Sequence, residues 1–280
     1  MQIISLRQQM QQTALGLRRG GRRIGLVPTM GFLHEGHLSL VKIARHHADV
    51  VVLSLYVNPT QFGPTEDLSR YPRDFGRDQR LCADAGVDIL FAPENAAMYA
   101  PDASVAVVEE KLSNRLCGVS RPVHFRGVVT VVAKLFNICQ PDIAVFGEKD
   151  AQQVRVIRRL VRDLNFPVEI ISGPTIREPD GLAMSSRNVN LSPEERQQAL
   201  CLRNALSRAE VLFRSGERDA ARIRAAMAEA VAMEPLATLD YIEIVDDETL
   251  EPVAKTDRTT LVAMAVKFSK TRLIDNTVLK

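Results

Sequence analysis

Two histidines three residues apart, His34 and His37, share the segment Pro28-Thr29-Met30-Gly31-Phe32-Leu33-His34-Glu35-Gly36-His37 with two glycines. An apolar run at 24–27 precedes it, and Leu38, Leu40, Val41 and Ile43 follow at helical spacing, so a buried strand is predicted to hand over to a helix here. A helix start presents unpaired N–H groups and the positive end of the aligned peptide dipoles, both of which favour an anion. Glycines let a polyphosphate come close to the backbone, and the two imidazoles can face one space. The chemistry suggested is nucleotide phosphate binding, although two histidines near a helix end also suit capping or packing.

Three further segments carry polar groups in useful combinations. Asn58-Pro59-Thr60-Gln61-Phe62 follows an apolar run at 50–57 and supplies amides that bind hydroxyls and carboxylates without a nucleophile or titrating base. The polar stretch 65–72 beyond it reads equally as a mobile lid or an ordinary exposed loop. Gly147-Glu148-Lys149-Asp150 follows Ala144-Val145-Phe146. There Lys149 offers a compact charge for phosphate, Asp150 a ribose partner or helix cap, and Gln153 an amide near the same helix end. Solvated turn charges are the plainer alternative. Met184-Ser185-Ser186-Arg187-Asn188, after Pro179-Asp180-Gly181, combines hydroxyl donors with a guanidinium, which suits a triphosphate and its departing diphosphate. Serine-rich turns are also common structural devices.

The 280 residues are 46% hydrophobic and 25% charged, with 36 basic against 34 acidic side chains. That is ordinary globular composition, and a net charge of +2 gives no global pull toward nucleic acid or an anionic membrane. The arginines between 155 and 162 alternate with Val156, Ile157, Leu160 and Val161, as on the solvated face of an amphipathic helix. Cys82, Cys117, Cys139 and Cys201 lie far apart, without zinc or dithiol spacing, which predicts free thiols in a reducing compartment. No leader pattern and no apolar run of ~20 residues occurs, so a cytoplasmic protein is expected. His46 and His47 read as surface or packing residues, and no set of metal ligands stands out.

Apolar runs at 24–27, 50–57, 87–92, 143–146 and 168–171 alternate with candidate helices at 38–47, 73–85, 128–139 and 150–164. This predicts an α/β domain with a parallel sheet over residues 1–175. Ligands collect at the carboxyl ends of such strands, so the segments starting at 28, 58 and 147 are expected to converge on one crevice. Beyond 175 the texture changes to a smaller α+β domain, 176–280. It carries helices near 193–214 and 218–232 and an antiparallel pair at 241–245 and 261–266. Segments 58–72 and 93–127 are the long loop candidates.

The order and spacing of these motifs, with Tyr71-Pro72-Arg73, His124-Phe125-Arg126-Gly127-Val128 and Gly181-Leu182-Ala183, closely resemble the pantothenate synthetase family. That family belongs to the nucleotidyl-transferring superfamily that also includes class I aminoacyl-tRNA synthetases. The resemblance implies a Rossmann-like N-terminal domain, a smaller C-terminal cover and a homodimer. It also implies a reaction in which the carboxylate of (R)-pantoate attacks the α-phosphorus of Mg²⁺-bound ATP, and β-alanine then attacks the pantoyl adenylate to give pantothenate and AMP.

Carried over residue by residue, the pattern puts His34 and His37 on the ATP phosphates and gives Lys149, Ser185, Ser186 and Arg187 charge stabilisation. Gln61 and Gln153 would hold pantoate, with Asn58, Tyr71 and His124 contributing. Met30, Gly31, Gly147, Asp150, Ile176 and Met184 would contact the nucleotide. Ala151 and Asn190 depart from the family, which usually has aromatic residues there. The rival readings are a nucleotidyltransferase of the same superfamily, separable by its product, and a nucleotide-binding protein without catalysis. Near-neutral charge and the lack of an anticodon-binding-like domain speak against RNA, and small-molecule substrates are the expected partners.

Overall fold

The computed structural model describes every residue except Thr65, so that end of the polar stretch 65–72 lies outside the described residues. The chain forms two compact units. The larger comprises Met1–Glu110, Arg121–Glu148 and Gln153–Pro174; the smaller comprises Lys111–Ser120, Lys149–Gln152 and Thr175–Lys280.

In the larger unit six parallel strands form one sheet: β1 (Gln2–Ile4), β2 (Ile24–Thr29), β3 (Val50–Leu55), β4 (Ile89–Phe91), β5 (Ile143–Gly147) and β6 (Glu169–Gly173). The helices are α1 (Arg7–Arg19), α2 (Glu35–His47), α3 (Phe75–Asp84), the single turn α4 (Asn95–Met98), α6 (His124–Cys139) and most of α7 (Ala151–Asp163); α5 (Cys117–Ser120) belongs to the smaller unit. Ile24, Leu26, Val27, Val51, Val52, Leu53, Ile143 and Val145 are fully buried. Runs so uniformly apolar require cover on both faces, which is why the strands pair in parallel beneath helices. This is the expected Rossmann-like architecture.

The strand order is β1-β4-β3-β2-β5-β6. From β2 the chain builds outward through β3 and β4, then returns to place β5 on the other side of β2. That reversal is a topological switch point, where open parallel sheets bind ligands. The segments starting at 28, 58 and 147 therefore leave three adjacent strands.

Several boundaries differ from the sequence expectation. β1 and α1 carry little apolar signal, burying only Ile4, Met10 and Ala14 between them. Helix α2 begins at Glu35 and α6 at His124, both earlier than the apolar spacing suggests, because the first turns are polar. Arg155 is not on a solvated face: it is buried, and its Nη1 donates to Glu148 at 2.6 Å. Segment 93–127 holds single turns at α4, Leu112–Asn114 and α5 before α6 begins.

The smaller unit has an antiparallel sheet of three strands, not the expected pair: β7 (Ala237–Asp246), β8 (Thr260–Phe268) and β9 (Thr271–Leu279). β9 escapes sequence recognition because Arg272, Asp275 and Asn276 interrupt its apolar residues. The expected helix 193–214 is two, α8 (Pro193–Gln198) and α9 (Cys201–Arg214), with a break at 199–200. α9 and α10 (Ala220–Ala232) bury Leu202, Leu206, Ile223 and Met227 against Ile244, Val262, Met264 and Phe268. Among the described residues no helix is long and apolar enough to cross a membrane.

Candidate active site

The chain leaves β2 through a turn with two left-handed residues, Gly31 (φ +82°) and Phe32 (φ +49°). A Cβ on residue 31 would meet Asp78 Oδ2 and Leu55 at 3.1 Å, so glycine suits both the angle and the space. Thr29 Oγ1 donates to the Ser54 carbonyl at 2.8 Å and accepts from Gly31 N at 3.3 Å, tying the turn to β3. His34 then caps α2. Its Nδ1 accepts from Gly36 N at 3.2 Å, while His34 N donates to His37 Nδ1 at 3.2 Å. The two rings lie 4.1 Å apart between centroids. With each Nδ1 acting as acceptor, each neutral imidazole carries its proton on Nε2. Capping and anion binding are thus compatible here, since capping engages Nδ1 of each ring and sets its tautomer.

Beyond β3, Asn58 and Gln61 are buried, at 1% and 6% exposure. Asn58 Nδ2 donates to Gln61 Oε1 at 3.3 Å and to the Gly127 carbonyl at 3.1 Å; its Oδ1 accepts from Thr60 Oγ1 at 3.0 Å. Gln61 Nε2 contacts Met30 Sδ at 2.9 Å, and the Gln61 carbonyl contacts His124 Nδ1 at 3.0 Å. Met30, Asn58, Gln61 and His124 therefore form one cluster built from β2, β3 and α6. Tyr71 is buried with its ring edge-on to Phe62, at 6.1 Å between centroids. Gln153 is half-buried in the first turn of α7.

Gly147 ends β5 beside β2, and Glu148 follows it. Burial works to raise the Glu148 carboxyl, but hydrogen bonds from Ser172 and Arg155 and the charges of Arg155 and Arg158 outweigh it. The group is held below the usual carboxylate range and serves as an anchor for Arg155, not as a proton carrier.

The smaller unit holds the remaining residues. Lys149 and Asp150 lie in the turn Glu148–Asp150, and Asn276 Nδ2 donates to the Lys149 carbonyl at 2.9 Å. Ile176 and Met184 are joined by a backbone bond of 3.0 Å, in a hairpin that turns at Gly181. Ser185 caps the short helix Ser186–Asn190, accepting from Arg187 N at 3.2 Å, and Ser186 is buried. Arg177 holds the hairpin to β9 through a two-pronged pair with the buried Asp275, at 2.7 and 2.9 Å. Lys149, Ala183, Ser185, Asn188 and Asp275 line one small cavity, so the lysine and the serine loop share a wall.

Sequence reasoning gave no positioning role to Asp78, Gly127 or the Arg177–Asp275 pair, which hold these groups in place. Each looks like an ordinary helix charge, helix glycine or loop ion until the chain is folded. Burial pushes the Cys82 and Cys201 thiols up to about 12 and Cys139 higher still, so none of these three competes as a nucleophile by proton loss. All four thiols are free and buried. Among the described residues no group of three or more His, Cys, Asp or Glu side chains could hold a metal ion.

A family model for pantoate-beta-alanine ligase matches residues 2–278. The pantothenate synthetase of Thermotoga neapolitana is 58% identical over 279 residues, covering 100% of each chain. That of Desulfatibacillum aliphaticivorans is 53% identical over 280 residues, again covering 100% of each. Among solved structures, the pantothenate synthetase from Thermus thermophilus matches with a TM-score of 0.94 at 47% identity over 99% of both chains. The pantoate-beta-alanine ligase from Francisella tularensis, complexed with beta-gamma ATP and beta-alanine, matches at 0.79 and 34% identity, over 99% of this chain and 97% of that one. Matched along almost its entire length in sequence and in fold, the chain belongs to the pantoate-beta-alanine ligase family.

Proposed function

We propose that this chain condenses (R)-pantoate with β-alanine at the expense of ATP, by way of pantoyl adenylate, releasing AMP and diphosphate. The full-length match to relatives named for this activity carries the reading. In the first step a pantoate carboxylate oxygen bonds to the α-phosphorus as the bond to diphosphate breaks. In the second the β-alanine amine bonds to the acyl carbon, and AMP leaves with the bridging oxygen.

Such chemistry needs an oriented carboxylate, a neutralised triphosphate and little water, and no covalent protein intermediate. His34 and His37 supply Nε2–H donors to the phosphates, and Lys149, Ser185, Ser186 and Arg187 meet the charge that grows on the departing diphosphate. The paired amides of Asn58 and Gln61, with Gln153, Tyr71 and His124, orient pantoate. Met30, Gly31, Gly147, Asp150, Ile176 and Met184 contact the nucleotide. Mg²⁺ enters as part of the Mg·ATP substrate, coordinated by phosphate oxygens and water. Family resemblance supports a homodimer, and four buried free thiols suit the cytoplasm.

The direct test incubates the protein with Mg·ATP, pantoate and β-alanine, omitting each in turn, and follows AMP and pantothenate. Both products are expected only in the complete mixture at multiple turnover. Formation of a dinucleotide with a phosphorylated substrate, and no AMP, would favour the nucleotidyltransferase alternative.

A further inference from the structure

The proposed mechanism leaves one buried carboxylate without a task. Asp78, in the first turn of α3, is 1% exposed. Its two oxygens accept from the backbone N–H groups of Phe32 and Leu33, each at 2.7 Å. These are the residues that carry the chain from β2 to the His34 cap. Phe32 at φ +49° is in a conformation that costs a non-glycine residue about 1 kcal/mol or more, so something must hold it. A carboxylate taking two adjacent amides is a strong acceptor for that purpose. Arg77 reinforces the arrangement: its guanidinium lies 5.1 Å from the Phe32 ring centre, and its Nη1 stands 3.8 Å from Asp78 Oδ1.

We propose that Asp78 is a positioning residue for the two histidines. By locking the 31–33 turn in its left-handed form, it sets the start of α2 and with it the paired imidazoles, and it takes no part in bond making. The inference rests on the reading of His34 and His37 as phosphate ligands. It separates Asp78 from a purely structural residue, because the two half-reactions depend differently on those histidines. Adenylate formation needs the triphosphate held, whereas aminolysis of a supplied adenylate has no diphosphate to release.

The test is Asp78→Asn, which keeps the shape but sets an NH₂ group against one of the two amide donors. Loss of one charge-assisted bond of this kind is expected to slow pantoate-dependent exchange of labelled diphosphate into ATP by about 10- to 100-fold. Conversion of supplied pantoyl adenylate and β-alanine to pantothenate is expected to stay within about twofold of the parent. Unchanged exchange, or equal losses in both half-reactions, would overturn the proposal. Absence of pantoate-dependent exchange in the unaltered protein would instead overturn the underlying activity, before any substitution is made. Should Asp78→Asn not fold, Arg77→Ala removes the guanidinium that backs both Phe32 and Asp78 while leaving the carboxylate in place. The same split between half-reactions is expected, and equal losses would again overturn the proposal.

Discussion

At the scale of single residues, the proposed chemistry falls to hydrogen-bond donors instead of to acids, bases or nucleophiles. The imidazoles engage α2 through their Nδ1 atoms, which sets the ring proton of each on Nε2. His37→Ala and Lys149→Ala are therefore each expected to slow adenylate formation by about 100- to 1,000-fold in single-turnover assays, with a much smaller effect on ATP affinity. A Lys149→Ala protein that formed adenylate at the parent rate would remove that lysine from the mechanism. These residues were legible in the sequence as candidates because their types are informative wherever they stand. Asp78 was not, since an aspartate four residues into a helix is commonplace and its partners, Phe32 and Leu33, lie more than forty positions away.

At the scale of elements, close packing fixes what the polar residues can reach. α6 approaches the turn Pro59–Gln61 so closely that a Cβ on Gly127 would stand 2.5 Å from Gln61 N, Gln61 Cα and the Thr60 carbonyl, all of them backbone. Gly127→Ala must therefore move the turn, and a displacement of this order is expected to raise the KM for pantoate by about 10- to 100-fold while leaving that for ATP nearly unchanged. Equal effects on both substrates would show that the turn does not serve pantoate.

Within the smaller unit, Asp240 on β7 ties Arg272 of β9, at 2.8 and 3.0 Å, to Ser120 of α5, at 2.9 Å. Burial works to raise its carboxyl, but the hydrogen bonds and charge of Arg272, with Ser120 and Lys267, hold it below the usual range. A depressed carboxyl stabilises the fold fully above its unfolded value, near 4, and loses that contribution as pH falls through the folded value. Asp240→Asn is thus expected to lower thermal stability at neutral pH and to flatten its decline below about pH 4, as followed by melting. An unchanged acid limb would show that other carboxylates govern it.

Strand and helix identity was legible wherever apolar periodicity was strong, as in β2, β3, β5 and α6. It failed where burial is slight, in β1 and α1, and where buried charges interrupt the pattern, in β9.

At the scale of the whole molecule, the strand order explains why motifs about thirty and ninety residues apart can serve one reaction. β2, β3 and β5 are neighbours, so the segments at 28, 58 and 147 leave the sheet side by side. The sequence pointed to a parallel sheet with ligands at its carboxyl edge, but not to the order of its strands, because pairing partners leave no trace in local periodicity. Nor did it show that segments Lys111–Ser120 and Lys149–Gln152 join the smaller unit, since contacts so distant in sequence have no local signature.

The central claim is that pantoate is activated at its carboxylate by AMP transfer, with no covalent protein intermediate. Pantoate labelled with ¹⁸O in both carboxylate oxygens tests it most directly. Each turnover is predicted to leave one labelled oxygen in the phosphate of AMP and one in the amide carbonyl of pantothenate. Label in diphosphate or inorganic phosphate, or AMP free of label, would contradict it.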